Sequence, residues 1–83
     1  MMGFMKAEDV HFLILYRTPE RWRTTVAGPG GMACGGLAGT PPDAPFEEAE
    51  REFREILAEV WGVEREIAWT ETRPGWWNAD LKG

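Results

Sequence analysis

Two side chains of this 83-residue sequence have the chemistry of a nucleophile and its base: Cys34, the only cysteine, and His11, the only histidine. A thiol attacks well when a nearby base or cation holds it as thiolate. Cys34 sits instead in small apolar company, "MACGGL", and nothing in the spacing requires His11 to reach it. The residues alone predict a buried, inert thiol. One cysteine and one histidine would also need two carboxylates to make a zinc site, and no metal-ligand spacing is present. The carboxylates are numerous, but no pair has a separation that marks a general acid and base. The sequence therefore predicts no catalytic residue, no metal and no cofactor.

The stretch "GPGGMACGGLAGTPP", Gly28 to Pro42, has the glycine density of a phosphate loop. It lacks the lysine such a loop needs, and the next helical pattern opens only after "TPPDAP". It is expected to be a turn-rich connection that needs glycine for its shape.

The remaining chemistry is that of a binding surface. Residues 1–42 carry four basic and three acidic groups; residues 43–83 carry five basic and eleven acidic ones. An acidic half repels a phosphate backbone and attracts a basic protein surface, so direct nucleic-acid binding is not expected. At 100° per residue, Glu48, Glu52, Glu55 and Glu59 share an arc of roughly 60° on one side of a helix. Such a ridge is a solvated, solubilising face or a docking site for a basic partner. Glu47–Arg51 and Glu50–Arg54 have the i,i+4 spacing of ion pairs on another flank. Trp76 and Trp77 follow Pro74-Gly75; tryptophan is both a core filler and a frequent interface anchor. Glu48, Glu52, Glu55, Glu59, Trp76 and Trp77 are the candidate partner-binding residues.

These residues are positioned by a short series of elements. "VHFLILYR" (Val10–Arg17) reads as a strand whose nearly continuous apolar run suggests cover on both faces for part of its length. Phe12, Ile14 and Tyr16 fall on one face, and His11, Leu13 and Leu15 on the other. "TPER" supplies a turn, and "WRTTVAG" then places Trp22, Thr24 and Val26 on one face of a second, antiparallel strand. Met32–Leu37 has the makings of a short third strand.

"DAPFEEAEREFREILAEVWG" is the clearest helix, with Asp43 as cap, Pro45 in the first turn and Gly62 as its stop. Phe46, Ala49, Phe53, Ile56, Leu57, Val60 and Trp61 lie within one core-facing arc of roughly 140°. "EREIAWTET" (Glu64–Thr72) reads as a further strand with Ile67 and Trp69 inward.

The order β-β-(β)-α-β predicts an α+β two-layer sandwich: an antiparallel three- or four-stranded sheet with one amphipathic helix. The whole chain forms one domain, with residues 1–9 loose. The longest apolar run, "FLILY", is far short of the ~20 residues of a membrane span. No secretory leader is read at the start, and a single cysteine suits a reducing compartment, so a cytoplasmic location is expected.

The segment "RWRTTVAGPGGMACGGLAGTPPDAPFEEAEREFREIL" resembles the HicB type of antitoxin. That family has a β-hairpin, a third strand containing glycine and cysteine, and a helix opened by an acidic segment. "ACGG" and "FEEAEREFREIL" occupy those places, although a Leu-Pro-Gly-Cys turn is replaced by "GPGGMAC". The resemblance implies a partial ribonuclease-H-like fold that binds and blocks a small basic toxin. Short β-β-α-β proteins of actinobacterial and phage genomes are similar too.

The leading expectation is a small, non-catalytic, acidic inhibitor or modulator of a basic, nucleic-acid-binding protein, antitoxin-like or anti-defence-like. The alternatives are a homo-oligomeric assembly protein pairing through sheet edges, at Met32–Leu37 or the C-terminal segment, and a small thiol-dependent enzyme using Cys34 with His11.

Overall fold

The computed structural model describes residues 9–81, so the expected looseness of the first residues falls, but for Asp9, outside the described residues. The chain forms β1 (Phe12–Arg17), β2 (Trp22–Gly28), β3 (Gly31–Gly36), α1 (Phe46–Ile56), a π turn (Leu57–Trp61), β4 (Thr70–Arg73) and β5 (Trp76–Asp80). The five strands make one antiparallel sheet in the order β3-β2-β1-β5-β4. The fold is a small α+β one, with one strand more than the sequence patterning suggested.

β1 is central because it is the most apolar strand and hydrogen-bonds to β2 and β5 on its two sides. In register, Leu13 lies beside Val26 and Ala79, and Leu15 beside Thr24 and Trp77. Leu13, Leu15, Val26 and Ala79 belong to the buried core with Ala49, Phe53 and Leu57 of the helical segment. This is the helix side. Phe12, Ile14 and Tyr16 lie on the other face and are only half-buried. The expectation that β1 is covered on both faces is corrected: one helix can cover one face, and the apolar run reflects β1's central position.

Trp22 opens β2 and is 1% exposed. Its indole N–H donates to the Ala44 carbonyl at 3.2 Å, and the Arg17 guanidinium lies 4.8 Å from its ring centroid while donating to that same carbonyl. The chain leading into the helix is thereby tied to the start of the sheet. The helix begins at Phe46 with Pro45 as N-cap and no side-chain cap hydrogen bond, so Asp43 does not cap it as expected. Proline has no N–H and its ring fixes φ, which suits this boundary.

The helix also ends differently. Leu57–Trp61 widens into a π turn, where each residue advances by less than 100°. Leu57 stays fully buried, but Val60 is 62% exposed instead of facing the core. Gly62 stops the helix at φ +73°, and Gly75 makes the β4–β5 turn at φ +80°. Left-handed backbone is costly for residues with a Cβ. Gly62→Ala should therefore lower stability by about 1 kcal/mol; equilibrium urea unfolding, read at the midpoint, checks this.

The segment read as a strand from Glu64 forms one only from Thr70, and it pairs with β5, a strand not expected from the patterning. Ile67 and Trp69 still pack inward against the core, outside any ladder. Alternation sets Trp76 and Trp77 on opposite faces, as two consecutive strand residues must be.

Candidate functional site

Two surfaces carry the residues singled out from the sequence, and they lie on opposite sides of the molecule. The first is the outer face of the helix. Glu48, Glu55 and Glu59 are exposed, and among the described residues none of the three carboxylates has a hydrogen bond or ion pair. Glu59 lies in the π turn, so it departs from the even spacing expected of it. Glu50 bridges Arg54 at 2.9 Å, the expected i,i+4 pair, and also accepts the Trp69 indole N–H at 3.3 Å. Arg51 bridges none of the glutamates around it.

Glu52 differs from its ridge neighbours. Its carboxylate accepts the Thr40 hydroxyl at 2.5 Å and the Gly39 backbone N–H at 3.1 Å. Thr40 is buried, 7% exposed. Glu52 therefore fastens the loop after β3 to the helix, and its charge is spent inside the molecule. Sequence spacing alone cannot separate this glutamate from the other three, because its partners are twelve and thirteen residues away in a loop.

The second surface is the sheet face away from the helix. Across it run Arg23, Tyr16, Trp76 and Arg73 in one row of the register. Tyr16 and Trp76 stack at 4.2 Å between ring centroids, and the Arg73 guanidinium lies 4.1 Å from the Trp76 ring centroid. The next row holds Cys34, Thr25, Ile14, Asn78 and Thr70. Trp77, on the helix side, stacks on Phe46 at 3.9 Å and joins the core. The two tryptophans thus part: Trp76 belongs to a half-buried outer surface and Trp77 to the aromatic packing around Phe46. The Tyr16 and Arg73 partners of Trp76 were not found from the sequence; only the ladder across β1, β5 and β4 brings them together.

Cys34 is exposed, which corrects the expectation of a buried thiol. It lies on edge strand β3, where no further strand covers it, and its Sγ is 3.9 Å from the Thr25 hydroxyl. Strand alternation puts Cys34 on the sheet face away from the helix. His11 precedes β1, its N–H donates to the Ala27 carbonyl at 2.9 Å, and among the described residues no hydrogen bond joins it to Cys34. Among the described residues no group of three or more His, Cys, Asp and Glu is placed to hold a metal ion. No helix of the described residues is long and apolar enough to cross a membrane.

No protein-family model, curated protein or solved structure matches the chain.

Proposed function

We propose that the protein is a small acidic binding module that docks a basic protein through Glu48, Glu55 and Glu59, and so inhibits or modulates it. The observation that carries this reading is the exposed, unbridged state of these three carboxylates on a helix whose other face is buried. From Glu48 to Glu59 the acidic stripe is about 16 Å long at 1.5 Å per residue. Like charges spaced along one face cost a helix a few tenths of a kcal/mol per pair, roughly. They also steer a partner of opposite charge and raise its association rate. A natural partner class is a nucleic-acid-binding protein, whose basic groove such a stripe would occupy in place of phosphates; the resemblance to HicB-type antitoxins likewise implies a small basic partner. The free thiol of Cys34 suits a reducing, cytoplasmic setting. Trp76, on the opposite face, would be a separate contact and not part of the docking stripe.

The test is a side-by-side capture. Wild type and the variant Glu48→Lys/Glu55→Lys/Glu59→Lys are immobilised and exposed to nuclease-treated host extract, then eluted with salt. A basic protein should bind wild type and be lost from the variant, and the purified pair should associate at least about tenfold more slowly after reversal. A captured partner that binds the variant equally fast, or one that is itself acidic, overturns the proposal.

A further inference from the structure

The two edges of the sheet are protected very differently. β4 has Glu71 and Arg73 on its four residues and a register irregularity between them against β5. Charges and bulges of this kind discourage pairing with another chain. β3, "GMACGG", has no charge and no proline, and it runs in unbroken register along β2. Met32, on this strand, is 68% exposed.

Antiparallel ladders alternate pairs that exchange hydrogen bonds with pairs that do not. Leu37 donates its N–H to the Trp22 carbonyl at 2.9 Å, which sets the phase for β3. Ala33 and Gly35 turn their peptide groups toward β2, and Met32, Cys34 and Gly36 turn theirs to the open edge.

We propose that β3 pairs antiparallel with β3 of a second copy, about a two-fold axis passing beside Cys34, so that two sheets become one continuous sheet. The inference is independent of the acidic-stripe reading, because it rests on β3 and uses none of the three glutamates. A two-fold axis perpendicular to the sheet keeps both helices on the same side, so only residues of one face can stand opposite each other. Centring on Cys34 sets Cys34 opposite its copy and Met32 opposite Gly36 of the copy. Every outward peptide group of the strand then finds a partner. Shifting the centre to Ala33 or Gly35 leaves outward groups of one end unpaired.

Side chains agree with this register. Gly36 offers no Cβ, and the Arg21 aliphatic stem crosses there: an added Cβ would meet its Cδ at 2.7 Å. Met32 of the second copy would lie over that glycine and against that stem, removing the exposed methionine from water. The β3 residues carry no charge, so two chains, each of formal net charge −5, approach with no like charges among the paired strand residues.

The experiment is sedimentation velocity in reducing buffer from micromolar to millimolar concentration, on wild type and Met32→Lys. A second measurement treats both with a short-span bismaleimide. Wild type should reach twice the monomer mass and crosslink through Cys34, since hydrogen-bonded partners lie about 5.5 Å apart at Cα. Met32→Lys, at an exposed position where folding is not at stake, should sediment as monomer and crosslink at least about tenfold more slowly, because a charge is set at the seam. A wild type that stays monomeric throughout overturns the proposal. So does a dimer that Met32→Lys leaves intact, or one whose cysteines do not crosslink.

Discussion

Replacing Trp22 by alanine should destabilise the protein by about 3–5 kcal/mol, the range for deleting a large buried aromatic. A domain of this length has a total stability of only about 4–12 kcal/mol, at 0.05–0.15 kcal/mol per residue. The variant should therefore be near or past its unfolding threshold at 37 °C. Trp22 is buried against the core, meets Phe46 edge-on with ring centroids 6.5 Å apart, and holds the Ala44 carbonyl through its indole N–H. Trp22→Phe separates these contributions. It keeps most of the apolar area and loses the N–H, while Arg17 still satisfies the Ala44 carbonyl at 2.9 Å. No buried acceptor is orphaned, so the cost should be about 1–2 kcal/mol. Urea unfolding of the three proteins gives both values. An alanine variant within about 1 kcal/mol of wild type would show that the sheet start and helix entry do not depend on this side chain.

The second large effect separates Glu52 from the other ridge glutamates. Glu52→Ala should cost about 2–3 kcal/mol, because it removes two hydrogen bonds to a carboxylate and strands the buried Thr40 hydroxyl. Glu48→Lys and Glu55→Lys should each change stability by no more than about 0.5 kcal/mol, as exposed substitutions do. Glu52→Ala should in addition open the Gly39–Thr40 loop, read as faster amide hydrogen exchange at Gly39. Equal stability effects at positions 48, 52 and 55 would remove the structural distinction. Partner capture by Glu52→Ala should remain, provided the variant is assayed where it is folded, since this carboxylate is turned toward the loop.

The local elements were legible in the sequence where one periodicity governed them. The β1–β2 hairpin, the third strand, the Phe46–Leu57 apolar stripe and the stop at Gly62 each follow from alternation, a 100° spacing or a glycine demanded by positive φ. β5 was not legible. "WWNAD" has mixed polarity, because Trp77 and Ala79 face the core while Trp76 and Asn78 lie on the open face. Its strand character comes from pairing along β1 and not from its own pattern. The Glu64–Trp69 stretch failed in the opposite sense. Its alternation was real enough to turn Ile67 and Trp69 inward, but it has no neighbouring strand to pair with before Thr70.

The candidate surfaces divide in the same way. Residue types and spacing alone established an acidic helix with an apolar face, and that Trp76 and Trp77 cannot share a side. Which glutamate is internally bonded, which tryptophan is outside, and whether Cys34 is covered were decided by tertiary structure. Those answers depend on contacts between residues far apart in the chain: Glu52 with the Thr40 loop, Trp77 with Phe46, and β3 with an edge that has no further strand. A sequence pattern reports the face a residue takes on its own element; only the packed fold determines what lies opposite that face.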